Sequence, residues 1–276
     1  MKIEIPLDCE LTAKAIRAFV KDYVDRIGIK KAVVGLSGGI DSTVTAYLAV
    51  EVFGKENLLG IIMPSKENEE LDTEHGLLIA KNLGINHKVV SIQELVDSFE
   101  KTLAYKDIDK KLRGNIMARC RMIILYFWAN LERAVVLGTS DKTELLLGYY
   151  TKYGDGGSDI MVNASLYKTQ VWKMGAHLGV PQAIIDKPPS AGLWKGQTAE
   201  NEIGISYEVV DYIMYHLLEL RFQPEQIINS RGMKRSDVEK VMKMIRESEH
   251  KRQTPRYPKI GSREINWDYR YPVERS

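Results

Sequence analysis

Apolar positions recur at helical spacing over residues 11–27, where Leu11, Ala15, Ile16, Phe19, Val20, Tyr23, Val24 and Ile27 line one side of a helix that Gly28 ends. The period then shortens. Residues 31–36 are a β-branched run leading into glycines and predict a strand; residues 41–53 return to the helical period and stop at Gly54. The alternation repeats with a buried strand over 58–63, a helix over 69–83 closed by Gly84, and a strand over 87–92. Helices over 93–104 and 110–131 and a fourth strand over 134–138 follow. Strands alternating with helices predict an α/β fold with a doubly wound, Rossmann-like parallel sheet and right-handed crossovers. After Ser140 the texture changes. Residues 149–159 hold three glycines, two aspartates and three tyrosines with little periodicity. Residues 186–197 form a second loop, and extra helices toward the C-terminus are predicted over 168–178, 207–220 and 236–250. Residues 251–276, with Pro255, Pro258 and Pro272, predict an extended tail. No internal repeat divides the 276 residues, so one domain over 1–276 is expected.

Charge narrows the partners. The formal net charge is only +2, so no broad nucleic-acid or membrane surface is expected, and an anionic partner must be met locally. The most apolar run, 122–131, is hemmed in by Arg119, Arg121 and Arg133 and is half the length of a membrane span, which needs about 20 residues. It predicts either a buried helix or part of a subunit interface. Cys9 and Cys120 lie far apart without metal spacing, which argues for a reducing, cytoplasmic setting. The first ten residues carry acids and a proline and no apolar run, so no signal peptide is expected.

The chemistry concentrates after the first strand, in Gly35-Leu36-Ser37-Gly38-Gly39-Ile40-Asp41-Ser42. A glycine-rich turn between a strand and a helix is an anion site, because backbone N–H groups and the positive end of the helix face the ligand. Gly38 and Gly39 let the backbone approach a phosphate closely, and Ser37 and Ser42 add hydroxyls. Asp41 would repel that phosphate unless a cation such as Mg²⁺ sits between them. Asp and Ser are also ordinary helix caps, but the whole SGGxDS pattern after a first α/β strand favours a phosphate. No Gly-Lys-Ser/Thr follows, so this is not a Walker A loop, and the spacing is not the dinucleotide GxGxxG.

The loop resembles the PP-loop of the N-type ATP pyrophosphatases, whose fold is of the adenine-nucleotide alpha-hydrolase type. Downstream blocks choose within that superfamily: Gly138-Thr139-Ser140-Asp141-Lys142-Thr143-Glu144, Thr151-Lys152-Tyr153-Gly154-Asp155-Gly156-Gly157, Leu166-Tyr167-Lys168 and Lys187-Pro188-Pro189-Ser190-Ala191-Gly192-Leu193. Together these resemble ammonia-dependent NAD synthetases. The resemblance implies that ATP, deamido-NAD and ammonia give NAD, AMP and pyrophosphate through an acyl-adenylate. It implies ATP contacts from residues 35–42 and from Met63, Thr139, Lys168 and Ser190. It also implies Mg²⁺ on Asp41 and Glu144, with Lys168 reaching the phosphates, and deamido-NAD contacts from Arg119, Lys152, Asp159, His250 and Lys251. Family members are homodimers, so a homodimer is expected. Ring chemistry adds that Tyr149 or Tyr150 could stack on the cationic pyridinium, and that Asp155 could attract ammonium and help deprotonate it. A turn-forming role before two glycines is the slightly favoured account of Asp155. Only 30 residues precede the first predicted strand, too few for a glutaminase unit, so free ammonia is the expected nitrogen donor. The segment 140–143 departs from the family, where a histidine is usual near Asp141. Two alternatives stay open: a tRNA-modifying adenylating enzyme, which the cysteine count and low net charge disfavour, and a regulatory module that holds ATP without turnover.

Overall fold

The computed structural model describes residues 5–105, 107–230 and 233–261. The first half follows the apolar period closely: α1 (Cys9–Arg26), β1 (Lys31–Gly35), α2 (Ile40–Phe53), β2 (Leu58–Ile62), α3 (Glu70–Leu83), β3 (Asn86–Val89), α4 (Gln93–Leu103), α5 (Lys110–Glu132) and β4 (Ala134–Gly138). The second half holds α6 (Lys142–Leu147), β5 (Ile160–Met161), α7 (Lys168–His177), α8 (Gln182–Ile185), α9 (Ala199–Ile203), α10 (Tyr207–Leu218), α11 (Pro224–Ile228), α12 (Arg235–Glu247) and α13 (Glu249–Arg252). α6, β5, α8, α9 and α11 are absent from the periodicity reading, because none exceeds six residues and such a piece shows no period. The helix predicted over 236–250 is interrupted at Ser248, which ends α12 and starts α13. Lys251 and Arg252 therefore belong to a helix, and the extended segment starts at Gln253; its residues 262–276, Pro272 included, lie outside the described residues.

All five strands are parallel, in the order β3-β2-β1-β4-β5. Side chains along β1 alternate between the two faces. Ala32 and Val34 pack with the helices α1, α2 and α7, and Val33 packs with α4 and α5. Helices thus cover both faces, as the doubly wound prediction requires. α2 is buried on nearly every side, because it lies between the sheet, α1 and α7. Each fully buried Val, Leu or Ile in these layers contributes about 1.5–3 kcal/mol relative to exposure. β3 is an exposed edge and ends at Val89, shorter than the predicted 87–92. A third apolar cluster joins α6 and α9 to α12 through Leu147, Ile203, Tyr207, Ile213 and Val241. It buttresses α6 and the start of α7.

The apolar run on α5 faces two ways. Ile124 and Ala129 point into the core, whereas Ile123, Phe127 and Leu131 stand 55%, 59% and 61% exposed, four residues apart on one stripe. Burial inside one subunit therefore leaves Ile123, Phe127 and Leu131 of the run uncovered. Among the described residues no helix is long and apolar enough to cross a membrane.

Candidate active site

In this strand order the connections diverge between β1 and β4, and a crevice opens at their carboxyl ends. A cavity of about 550 Å³ lies there, walled by the loop after β1, the ends of β2 and β4, α5 and the loop after α8. That volume suits a ligand of nucleotide size.

The β1–α2 turn brings Gly35, Leu36, Ser37, Gly39, Ile40, Asp41 and Ser42 to the cavity. Gly38 stands behind it. Its φ is +73°, and a Cβ there would come 2.2 Å from the Asp72 carbonyl oxygen, so only glycine fits. Gly39 is the N-cap of α2, and no side chain caps that helix. A Cβ at Gly39 would meet only Ser37 Oγ, at 3.5 Å, which leaves open space for an anion before the helix N-terminus. Ser42 Oγ lies 3.0 Å from Ser37 Oγ and accepts from Ser37 N at 3.2 Å, which fixes both hydroxyls at the turn. Met63 and Thr139 also border the cavity. Ser190 does too, with its Oγ accepting from Gly192 N at 3.0 Å.

Asp41 and Glu144 converge beside the turn. Sequence reasoning gave the third member of their cluster, Asp141, no role beyond local packing. Its Oδ1 accepts from Glu144 N at 2.8 Å, and Glu144 reaches back to Asp141 N at 3.2 Å. This capping box starts α6, and its Asp-x-x-Glu spacing is the signal in the sequence that could have found it. One carboxylate oxygen from each of Asp41, Asp141 and Glu144 lies within 4.8 Å of the others. Three hard oxygen donors suit Mg²⁺.

Lys168 departs from expectation. It does not line the cavity; its side chain is fully buried, with Nζ 2.7 Å from Asp41 Oδ1, 2.9 Å from Asp141 Oδ2 and 2.9 Å from Glu144 Oε1. It is the first residue of α7, and the burial of that helix start, through Thr143 Oγ1 and Asp211, directs it at the three carboxylates, with Asp41 of the phosphate loop among them. Burial disfavours the ammonium, but Asp141, Asp41 and Glu144 together outweigh that and hold Lys168 well above the usual lysine range. Burial also raises the acids, moving Asp141 up to about 7 and Glu144 well above its ordinary value, against the pull of Lys168. Fully ionised, the three carboxylates would exceed the one ammonium by two negative charges, which one divalent cation would balance. Asn163, fully buried and not foreseen, donates from Nδ2 to Asp41 O at 2.9 Å, Thr45 Oγ1 at 3.0 Å and Thr139 O at 3.3 Å. It ties the phosphate turn to the end of β4.

The cavity wall also carries Tyr149, Tyr150, Asp155 and Lys251. Tyr149 OH donates to Glu202 Oε2 at 2.5 Å. Lys251 Nζ donates to Gly148 O and Tyr150 O at 2.6 and 2.7 Å and lies 5.3 Å from the Tyr150 ring centre. Asp155 accepts from Thr151 N at 2.8 Å. Its residue surface is open to the cavity, yet the protein around the carboxyl raises its pKa, outweighing that backbone bond and the pull of Lys251 and Arg121. Arg119, Lys152 and His250 stand together just outside: Arg119 Nη2 donates to Lys152 O at 3.3 Å, and Lys152 Nζ to His250 O at 2.7 Å. Asp159 is apart from them. Its Oδ2 accepts from Val136 N at 2.7 Å and Oδ1 from Tyr126 OH at 3.1 Å, so this carboxylate satisfies the β4 backbone where β5 has not yet begun. The expected free polar contact at Asp159 is occupied within the chain. Arg121, unassigned by sequence reasoning, borders the cavity and donates from Nε to Met63 O at 3.2 Å and from Nη2 to Asn68 Oδ1 at 2.9 Å. Both cysteines have thiol pKa values raised chiefly by burial.

Sheet order, cavity position and loop chemistry define the class, a doubly wound α/β fold of the nucleotide-binding kind. The family model described as NAD synthase matches residues 12–255, and the chain belongs to the NAD synthase family. It is 44% identical over 254 residues to an NH3-dependent NAD+ synthetase of Thermococcus sibiricus, covering 92% of this chain and 99% of that one. It is 47% identical over 239 residues to the protein of the same name from Pyrococcus furiosus, covering 87% and 92%. Among solved structures, NMN synthetase from Francisella tularensis matches with a TM-score of 0.81 and 32% identity, over 92% of this chain and 100% of that one. NH3-dependent NAD synthetase from Campylobacter jejuni, in complex with the nitrate ion, matches at 0.77 with 26% identity over the same shares.

Proposed function

We propose that this chain is an ammonia-dependent NAD synthetase, a ligase that makes the amide of NAD from deamido-NAD, ATP and ammonia. The observation that carries the reading is the meeting of Asp41 and Glu144 beside an open anion cradle at the β1/β4 crevice. A carboxylate oxygen of the nicotinate attacks the α-phosphorus of ATP and pyrophosphate departs. Ammonia then attacks the acyl carbon of the adenylate and AMP departs. Neither step needs a side-chain nucleophile, so the protein contributes position and charge. Ser37, Gly39, Asp41 and Ser42 take the phosphates, and Met63, Thr139 and Ser190 take the rest of ATP. Asp41, Asp141 and Glu144 would hold Mg²⁺, which when bound would supply charge neutralisation at the phosphates. Lys168 keeps those carboxylates gathered. Tyr149 and Tyr150 bracket the nicotinate end, where Asp155 draws ammonium, and Arg119, Lys152, His250 and Lys251 receive the far phosphates of the dinucleotide.

The whole chain acts as one unit in the cytoplasm, and its partners are small molecules. The exposed stripe of Ile123, Phe127 and Leu131 on α5 is the homodimer contact, beside Arg119 and the Tyr126–Asp159 pair. The Francisella neighbour, named an NMN synthetase, supplies a second reading in which the acceptor is the mononucleotide. Incubation with ATP, Mg²⁺ and ammonium, with deamido-NAD in one arm and nicotinate mononucleotide in the other, decides between them. NAD and AMP in equal amounts are expected from the first arm. Product only from the second would transfer the reading to the mononucleotide, and no AMP in either would end it.

A further inference from the structure

In the proposed reaction the phosphates of ATP meet the β1–α2 turn and those of the dinucleotide meet Arg119, Lys152, His250 and Lys251, which leaves the nicotinate carboxylate without a cation. That acid must approach the α-phosphorus against the repulsion of the phosphates and of Asp155. Arg121 is placed to meet it. Its helix, α5, supports the 151–157 loop: Asn115 Oδ1 accepts from Thr151 Oγ1 at 2.8 Å, and Cβ atoms at Gly154 and Gly157 would lie 3.0 Å from Ala118 Cβ and 3.1 Å from Met122 Cγ. Arg121 shares the helix face of Ala118 and Met122. From there it reaches the end of β2, where Nε donates to Met63 O at 3.2 Å and Nη2 to Asn68 Oδ1 at 2.9 Å. The guanidinium thus lies where the loop of Asp155 meets the Met63 wall of the cavity. Nη1 makes no hydrogen bond among the described residues, and no carboxylate among them pairs with Arg121, whereas Lys187 on the same cavity pairs with Asp72. The residue is half-buried, and the protein around the guanidinium pulls its pKa down to about 10, against the opposing effect of Asp155 and Asp72. A cation so enclosed without an acid is costly until an anion arrives.

We infer that Arg121 receives the nicotinate carboxylate of the acceptor, holding it toward the α-phosphorus and distinguishing the acid substrate from the amide product. This rests on the proposed reaction and adds a specificity-determining residue to it. A planar guanidinium matches the geometry of a carboxylate, and a hydrogen bond between the two charged groups is short and strong. Arg121 transfers no proton. One carboxylate oxygen forms its bond to the α-phosphorus as the bond from phosphorus to the α–β bridging oxygen breaks, and that electron pair leaves on pyrophosphate. Met63 O and Asn68 fix the guanidinium beforehand, which lowers the entropy cost of presenting it. Once the acid has become an amide, the charge that Arg121 binds is gone, and this contact favours deamido-NAD over NAD.

A purely structural role, in which Arg121 only ties α5 to the end of β2, makes a different prediction. Calorimetry with deamido-NAD, NAD and AMP, each alone, on the full chain and on Arg121→Gln, Arg121→Lys and Asn68→Ala separates the two. The proposal expects the ratio of deamido-NAD to NAD affinity to fall about tenfold or more in Arg121→Gln, the loss of a charge-assisted hydrogen bond. AMP affinity stays within about twofold, which also reports a folded chain, and Arg121→Lys recovers part of the ratio. Asn68→Ala cuts the tie at Nη2 but keeps the charge, so its ratio stays that of wild type. An unchanged ratio in Arg121→Gln overturns the inference, as does an equal fall in Asn68→Ala. A loss of AMP affinity as large as that of deamido-NAD also overturns it, because the guanidinium would then face the α-phosphate. Turnover of deamido-NAD by the wild-type chain is measured alongside. If it occurs while Arg121→Gln keeps the wild-type ratio, only this inference falls; if it does not occur, the proposed reaction falls with it.

Discussion

Replacing Lys168 with methionine removes one charge from the most tightly coupled part of the molecule and keeps nearly the same side-chain length. In the native protein Nζ is 2.7–2.9 Å from three carboxylates and fully buried. Taking one partner from a buried ion pair costs about 3–5 kcal/mol, and with three acids sharing a single cation the upper part of that range is expected at about pH 8. The loss depends on pH in a direction the structure fixes. Burial already raises the Asp141 carboxyl to about 7 and Glu144 well above its ordinary value, so the folded chain holds protons there that the unfolded chain has released. Groups with raised folded pKa values favour folding at low pH and lose that contribution as pH rises through them. Without Lys168 the acids can be neutralised only by protons or by a metal. The penalty should therefore shrink to about 1–2 kcal/mol near pH 5.5, and Mg²⁺ at about pH 8 should recover much of it. Urea denaturation of both proteins at the two pH values, with and without Mg²⁺, measures this. A loss below about 1 kcal/mol at pH 8, or an equal loss at both pH values, would refute the reasoning.

Gly38→Ala forces a side chain into left-handed backbone, at about 1–2 kcal/mol, and drives its Cβ into the Asp72 carbonyl, so a lower melting temperature and loss of ATP binding are expected together in thermal shift. Asn163→Ala unties Asp41 and Thr139 from each other and should cost about 1–3 kcal/mol, with a raised KM for ATP in steady-state assays. Asp211, fully buried against Thr143 and Thr169, has its carboxyl raised by burial from 3.8 to about 6. Its stabilising protonation is complete below about pH 3.8 and lost by about pH 6, a difference of about 3 kcal/mol, so Asp211→Asn should flatten the stability profile over that window in denaturation series.

The long elements were legible because their periods are long enough to read. Strands 31–36, 58–63 and 134–138 and the helices between them lie within a residue or two of β1, β2, β4 and α1 to α5. The phosphate turn was legible because its chemistry is local: two glycines, two serines and an aspartate in six residues. α6, α8, α9 and α11 were not, since a helix of four to six residues is held by its neighbours rather than by its own pattern. Asp159 was read as a ligand contact, but the gap between β4 and β5, which only pairing reveals, claims its carboxylate.

By itself, then, the sequence determined a strand–turn–helix built for an anion, a parallel sheet around it, and the two acids Asp41 and Glu144 on either side of the switch point. The first two follow from spacing along the chain, and the role of Glu144 follows from the resemblance of its motif to the NAD synthetases. Which charges meet was decided only in three dimensions. Lys168 is 127 residues from Asp41 and Lys187 is 149 from Gly38, and nothing local to either lysine says where its ammonium ends. The packing of α7 on α2 and α10 buries the first among carboxylates, and the turn after α8 carries the second to the phosphate loop.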